Sequence, residues 1–330
     1  MIYLFVVIFT RALHKIPEEA ICFTNGLTTM TNQKRLKYFA FAVLLLTMAA
    51  CFKESLPPLP DEPDVFEACV ISGTPATFDL VTFNVQGFPK NGYTSTAAFV
   101  SLIKAMEPDV VALQEVTTEA DFNRMLNLLP GYTGKFYLTD NDLWNLAFIV
   151  KNSETDIIAS TEKLLFENDS RAFPRPPFEI SVKHKTLNLE VTLINLHLKC
   201  CGGDDNEKRR REASVKLKDY LDREKPIDNV VVLGDFNDEI SSPHASENPF
   251  LNFIGDTQNY FFADMAIAAG SALWWSYPDM PSHIDHILVT NELAPLIDTT
   301  YVLKVSPCYP EYNRNISDHR PVGIRFAKTR

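Results

Sequence analysis

Four short apolar, β-branched runs in this 330-residue sequence stop at polar residues that a strand has no use for. VTF ends at Asn84, VVAL at Gln114-Glu115, TLINL at His197, and VVVL at Gly234-Asp235-Phe236-Asn237. Two more runs begin beside polar residues. HIDHILV carries Asp285 near its start, and the last run, PVGIRF, follows Ser317-Asp318-His319. FDLVTFNV, DVVALQEV, LAFIV and NVVVLGD read as buried strands. FEISVK and LNLEVTLINLHL, joined by the polar turn His184-Lys185-Thr186, read as an antiparallel hairpin. Between them lie segments with apolar residues at helical spacing: TAAFVSLIKAM with Ser95 as its cap, about Glu119 to Leu129, and about Asn206 to Arg223. Strands alternating with helices and mixed with hairpins imply a mixed sheet system covered by helices. If the polar strand ends share one edge, they form a cleft of carboxylates, amides and two imidazoles.

Taken singly, each of these residues has an ordinary reading. Glu115 is a solvated strand end, and Asp235 and Asn237 form a turn after a strand, although i, i+2 spacing puts both side chains on one face. His197 is a satisfied core histidine, and His319 a turn residue. His244, His283 and His286 have no special claim. Glu207 to Arg211 is the solvated face of a helix, from which one Arg could reach a phosphate.

Ahead of this pattern the chain changes character. Lys34, Arg35 and Lys37 precede the uncharged run YFAFAVLLLTMAA, and Cys51 follows. A basic segment, a short apolar segment and small residues describe a secretory signal; the run is too short for an ordinary membrane span. Small residues directly before a Cys resemble the lipobox of bacterial lipoproteins, with Met48 in place of the usual Leu. The resemblance implies cleavage before Cys51, lipidation of its thiol, and anchoring in the cell envelope, at the outer membrane or cell surface. Four segments are expected: an upstream extension (1–29, with Met30 as the true start), a signal peptide (30–50), a Pro-rich acidic tether (51–77) and a catalytic domain (78–330). The net charge of the whole chain is −11. Without residues 1–50 it is −14, from 26 basic and 40 acidic residues. Such a chain does not bind polyanions through bulk positive charge. Cys69, Cys200, Cys201 and Cys308 remain after cleavage, and an exported chain can oxidise them. One of the adjacent pair Cys200-Cys201 is expected to bridge to Cys69 or Cys308. No CxxC pair supports a zinc site.

FNVQGF, LQEV, INLHLK, GDFND, SHIDHILV and SDHRPV, in that order between Phe78 and Phe326, resemble the endonuclease/exonuclease/phosphatase superfamily. That superfamily includes pancreatic-type deoxyribonucleases, abasic-site endonucleases, sphingomyelinases and inositol polyphosphate phosphatases. The resemblance implies a four-layer α/β/β/α sandwich, two packed mixed sheets flanked by helices, that hydrolyses phosphoesters with a divalent metal. It makes Glu115 the principal metal ligand, with Asn84 and Asp318 close by as further ligands or as supports. Mg²⁺ is the expected ion, with Mn²⁺ or Ca²⁺ as alternatives. Asp235 and His319 would flank the phosphate, Asp285 would orient His319, Asn237 would position phosphate or water, and His197 would donate to a phosphate oxygen. Deoxyribonuclease-type members give that histidine an acidic partner upstream; here Asn145 stands before LAFIV instead.

The signature of inositol polyphosphate phosphatases is missing around Asp285. Lys199 and Lys208 to Arg211 could form a local basic groove. Trp274, Trp275 and Tyr277 could stack a base or sugar, but capping the core is the favoured reading. The expected protein is a monomeric phosphodiesterase or nuclease of the cell envelope. Its alternatives are a phosphomonoesterase or sphingomyelinase-like enzyme on small or lipid substrates, and a non-catalytic binding protein that kept the fold.

Overall fold

A computed structural model describes residues 65–138, 144–241 and 248–328. The leader, Cys51, most of the tether and His244 lie outside the described residues. The first sheet is built from β1 (Thr77–Phe88), β2 (Val110–Val116), β3 (Tyr132–Tyr137), β4 (Asn145–Lys151), β12 (Ile297–Val302) and β13 (Val322–Ala327). Its order is β12-β13-β1-β2-β4-β3. The second contains β5 (Thr155–Ile157), β6 (Lys163–Leu164), β7 (Phe178–His184), β8 (Leu189–His197), β9 (Val230–Asp235), β10 (Tyr260–Phe262) and β11 (Asp285–Thr290). Its order is β10-β11-β9-β8-β7-β5, with β6 on β7.

Each sheet centres on a parallel pair, β1 with β2 and β8 with β9, flanked by antiparallel neighbours. This topology explains the convergence of polar strand ends. Parallel partners finish at the same edge, so Asn84 pairs with Gln114 and His197 with Asp235. An antiparallel neighbour starts where they finish, so Asp285 lies opposite Asp235, and Val322, just after His319, opposite Thr82.

Strand alternation fills the space between the sheets. Phe78, Leu80, Val110, Ala112, Phe148, Val150, Ile324 and Phe326 of one sheet pack against Ile180, Val182, Leu193, Val231, Leu233, Ile287 and Val289 of the other. The opposite faces are covered by helices. Phe99 of α1 (Gly92–Met106) stacks on Phe83. Ala213, Leu217 and Leu221 of α3 (Asp204–Glu224) pack on Ile194, Leu196, Val230 and Val232. Strands buried on both faces read as continuous apolar runs, which is why these were the visible ones. The fold is the expected α/β sandwich of two mixed sheets flanked by helices.

Several local expectations are corrected. The first helix begins at Gly92, not at Ser95, whose Oγ accepts the Asn91 N–H at 2.8 Å. The second, α2 (Glu119–Leu126), stops short of Leu129; Thr118 caps it by accepting the Asp121 N–H. His184 is fully buried in β7 and packs on Phe78 rather than forming a polar turn. Packing starts ahead of Phe78: Phe66 is buried, and Cys69 is bonded to Cys308. That bridge overturns the expected pairing of Cys200 or Cys201, both of which are free.

Candidate active site

Asn84 joins the two sheets at their common edge. Its amide donates to Glu115 Oε1 at 3.0 Å and to Asp235 Oδ2 at 2.9 Å. Its oxygen accepts the Gln86 N–H at 2.9 Å, so Asn84 turns its donor, not its oxygen, towards the carboxylates. Just beneath, a buried amide pair fixes the sheets to one another: Gln114 Nε2 donates to Asn195 Oδ1 at 2.8 Å, and Asn195 Nδ2 donates to the Leu113 and Ala147 carbonyls.

The strand ends turn sharply. Gln86, Glu115 and Asn237 all have positive φ, at 43°, 64° and 55°. Non-glycine residues adopt this region at a cost, and such strain gathers at functional sites. Here it swings each side chain out of its strand's alternation and towards the cleft. Gly234 is required for a different reason: a Cβ there would lie 2.0 Å from the Leu196 carbonyl oxygen. Its absence lets β9 approach β8 closely beside His197 and Asp235.

His319 Nδ1 hydrogen-bonds Asp285 Oδ2 at 2.8 Å, and its Nε2 lies 4.0 Å from both Asp235 and Asp318. Tyr312 donates to the His319 carbonyl at 2.6 Å, and Ser317 Oγ, which donates to the Asn84 carbonyl, accepts the His319 N–H. His197 Nε2 is 3.6 Å from Asp235 Oδ2 and 3.9 Å from Glu115 Oε1. Asn237 gives its backbone N–H to Asp235 Oδ1 and its amide to the Leu198 carbonyl. The eight residues picked out in the sequence are thus brought to one edge, where Glu115, His197, Asp235, Asn237, Asp318 and His319 line a cavity of about 860 Å³.

The charges are unevenly matched. Burial and the neighbouring Asp285 push the Asp235 carboxyl up to about 7. Burial also raises Glu115 and Asp318. Burial disfavours a charged His319, but Asp285 first, then Asp235 and Asp318, outweigh it and push the imidazole up to about 10. His197 is held well below its ordinary value by burial, Arg175 and His319. Among the described residues, His197 Nδ1, Asp285 Oδ1 and Asp318 Oδ1 are buried without a hydrogen-bond partner. Asn145 gives His197 no support, because its amide donates to the Val116 and Thr117 carbonyls.

Two site residues were given no role from the sequence. Gln86 Nε2 donates to Asp318 Oδ2 at 2.7 Å and so ties it to Asn84. Arg175 is half-buried, lines the cavity, and donates to the Leu198 carbonyl at 3.2 Å. Its signal is a lone cation in the Pro-flanked stretch PRPP. The expected basic groove does not form as a unit. Arg210 is 3% exposed and bound to Asp238, Lys199 and Cys201, while Arg209 donates to the Ser170 and Arg171 carbonyls. The aromatics also separate. Tyr277 lies against the His319 ring at 4.8 Å, whereas Trp274 is 50% exposed beneath Lys304 and does not cap the core. His283 and His286 share Asp264 in a buried cluster, none of which lines the cavity.

Residues 81–319 match the model described as the Endonuclease/Exonuclease/phosphatase family. Among solved structures, D. rerio TDP2 complexed with single-strand DNA product aligns at 15% identity, with 77% of this chain and 100% of that one covered, and a TM-score of 0.59. The human Nocturnin catalytic domain with bound sulfate gives 16% identity, 78% and 97% coverage, and 0.59. An endonuclease/exonuclease/phosphatase from Bacteroides vulgatus gives 17% identity, 77% and 99% coverage, and 0.59. At these identities the likeness establishes the fold. No curated protein matches the sequence.

Proposed function

The chain belongs to the endonuclease/exonuclease/phosphatase family, and on that premise we propose that it is a divalent-metal-dependent phosphoester hydrolase, specifically a phosphodiesterase or nuclease. The observation that carries this reading is the His319–Asp285 pair aimed at Asp235 on the floor of an open cavity.

The donor set fits a hard cation. Glu115 lies in a cluster with Asp235 and His197 that could hold a metal ion, Asp318 offers a further carboxylate whose Oδ1 is buried without a partner, and Glu115, Asp235, Asp285 and Asp318 put four acids at one edge. Glu115 and Asp318 would hold the ion, with Asn84 keeping Glu115 in place and Gln86 keeping Asp318. A bound Mg²⁺, or Mn²⁺ or Ca²⁺, supplies positive charge against a phosphoryl oxygen and the leaving oxygen.

The chain's own residues supply the rest. His319 commits Nδ1 to Asp285 and turns Nε2 towards two carboxylates, the setting of a donor. It therefore donates to a phosphate oxygen, and Asp235 is left as the acceptor of the proton from water. His197 presents Nε2 as a second donor to charge that develops on the phosphate. Arg175 contributes a fixed positive charge, and Asn237 orients phosphate or water. A cavity of about 860 Å³ has room for groups on both sides of a phosphate, which favours a diester. A second reading, a lipid phosphodiester, has one observation in its favour: Met280, 67% exposed, and Trp144, 41% exposed, line the same cavity.

We place the protein in the cell envelope, anchored through Cys51, on the strength of the basic, apolar and Cys-ending leader, and take it to work as a monomer. Among the described residues no helix is long and apolar enough to cross a membrane. Mass spectrometry of Cys51 in membrane fractions tests the anchor. A panel of bis-p-nitrophenyl phosphate, p-nitrophenyl phosphate, plasmid DNA and sphingomyelin, each with Mg²⁺ and with EDTA, tests the chemistry. Turnover of a diester that EDTA abolishes is expected; turnover of the monoester alone overturns the diesterase reading.

A further inference from the structure

Cys200 and Cys201 follow the His197 strand and take no part in the chemistry above. Both line the same cavity, Cys200 partly covered and Cys201 exposed, and their sulfurs lie 2.9 Å apart. Lys199 Nζ is 3.5 Å from Cys200 Sγ. Burial opposes a Cys200 thiolate, but the Cys201 thiol, Lys199 and Arg175 outweigh it and hold Cys200 below its ordinary range. Cys201 sits at φ 76°, a left-handed conformation that a residue other than glycine holds under strain.

The backbone around this pair is tied to the site by two routes. Arg210 Nη1 donates to the Lys199 carbonyl at 2.8 Å and the Cys201 carbonyl at 3.0 Å, while its Nε holds Asp238, the neighbour of Asn237. One step earlier, the Leu198 carbonyl accepts both Arg175 Nη1 and Asn237 Nδ2. The dithiol therefore rests on the groups that fix Arg175, Asn237 and Arg210.

We propose that Cys200 and Cys201 are a redox modification site: a small disulfide such as oxidised glutathione converts the pair into a disulfide between adjacent residues, and this displaces the phosphate-binding groups beside it. The Cys200 thiolate attacks one sulfur of the oxidant, forming a mixed disulfide and releasing one thiolate. Cys201 gives up its proton, attacks Cys200 Sγ and expels the second thiolate. The chain loses two S–H bonds and gains one S–S bond; two electrons and two protons pass to the oxidant, which leaves as two thiols. Ring closure turns the peptide between the two cysteines and the carbonyls that Arg210 clamps on either side of it. The existence of the site is independent of the hydrolase reading; its effect on turnover rests on it.

The full chain, reduced and then treated with oxidised glutathione, tests both parts. Mass mapping of the peptide that carries Cys200 and Cys201 should show the loss of two hydrogens, reversed by dithiothreitol. Cys201→Ser should instead hold one glutathione on Cys200. Hydrolysis of bis-p-nitrophenyl phosphate should fall at least about tenfold on oxidation, the scale set by small displacements of positioning groups, and recover on reduction. The doubly substituted Cys200→Ser/Cys201→Ser protein should be insensitive. Two surviving thiols, or a glutathione on each, overturn the site. A closed ring with unchanged turnover overturns its coupling to catalysis. If the reduced protein turns over no phosphoester at all, the hydrolase reading fails and the mass result still decides the modification.

Discussion

Asp285 and His286 are neighbours on one strand, yet they belong to clusters of opposite character. Alternation sends Asp285 to the inter-sheet face and the cleft, and His286 to the other face, where it meets Asp264 and His283. In the Asp264 cluster every donor and acceptor is matched. Asp264 Oδ2 lies 2.6 Å from His286 Nδ1 and 3.0 Å from His283 Nε2, and Oδ1 accepts the Ile287 N–H. His283 Nδ1 accepts the Ser276 N–H, and His286 Nε2 is 2.9 Å from the Asp238 carbonyl. A carbonyl only accepts, so this network assigns a proton to both nitrogens of His286, a buried imidazolium on a buried carboxylate. The cluster at the cleft has the same residue types but leaves His197 Nδ1, Asp285 Oδ1 and Asp318 Oδ1 without partners. The two groupings differ in that one is closed and fully matched, while the other leaves hydrogen-bonding capacity unspent beside a cavity.

Breaking the cleft cluster should cost activity rather than stability. His319→Ala and Asp235→Ala are each expected to lower turnover by about 10²–10⁴-fold, the scale of a lost acid or base; Asp235→Ala, which removes a carboxyl whose charge burial already opposes, should leave the melting temperature little changed. Breaking the closed cluster should do the reverse. Asp264→Ala leaves a buried imidazolium without its partner and should cost about 3–5 kcal/mol in denaturant titration. An Asp264→Ala protein as stable as the wild type would refute the distinction. Arg175→Ala, which removes a cation rather than an acid or base, should raise KM by about tenfold, one charged hydrogen bond's worth, and leave kcat nearly intact.

The smallest effect is a pH slope. The folded pKa of His286 is raised above 6.5; burial opposes the charge, but Asp264 prevails. Its contribution to stability is therefore complete below pH 6.5 and is lost as pH climbs through the raised folded value. Asp264 is depressed below 3.8: burial opposes its charge, but His286 and His283 prevail. Its contribution is present above pH 3.8 and is lost as pH falls below it. Denaturant midpoints taken across pH should fall above pH 6.5 in the wild type and fall less steeply in His286→Gln, where His319, raised as well, still contributes. Parallel curves would show that His286 is not the charged partner.

The same contrast explains what the sequence revealed. Asn84, Glu115, His197 and Asp235 were legible because each ends an apolar run, and parallel pairing carries run ends to one edge. Gln86 sits at a left-handed break inside β1, and Arg175 in a Pro-flanked loop, where no period marks a residue's direction. Asp264 was invisible because its partners are His283 and His286, distant in sequence and joined to it only by the fold. β3, β5, β6, β10 and β12 were missed because they are short, or interrupted by Gly, Lys and Thr. Such strands form because a neighbour offers its backbone, not because their own pattern demands it. The expected bridge from Cys200 or Cys201 failed for a similar reason: four thiols allow several pairings, and the fold, with Phe66 packed on Tyr309, sets Cys69 against Cys308 instead.

The most direct test compares hydrolysis of bis-p-nitrophenyl phosphate by the wild-type chain and by His319→Ala, each purified folded, with Mg²⁺ and after EDTA. The expected result is wild-type turnover that needs the metal and falls by about 10²–10⁴-fold in the variant. Equal rates in the two proteins, or a wild-type rate that survives exhaustive EDTA treatment, would contradict a metal-assisted phosphoester site at this edge.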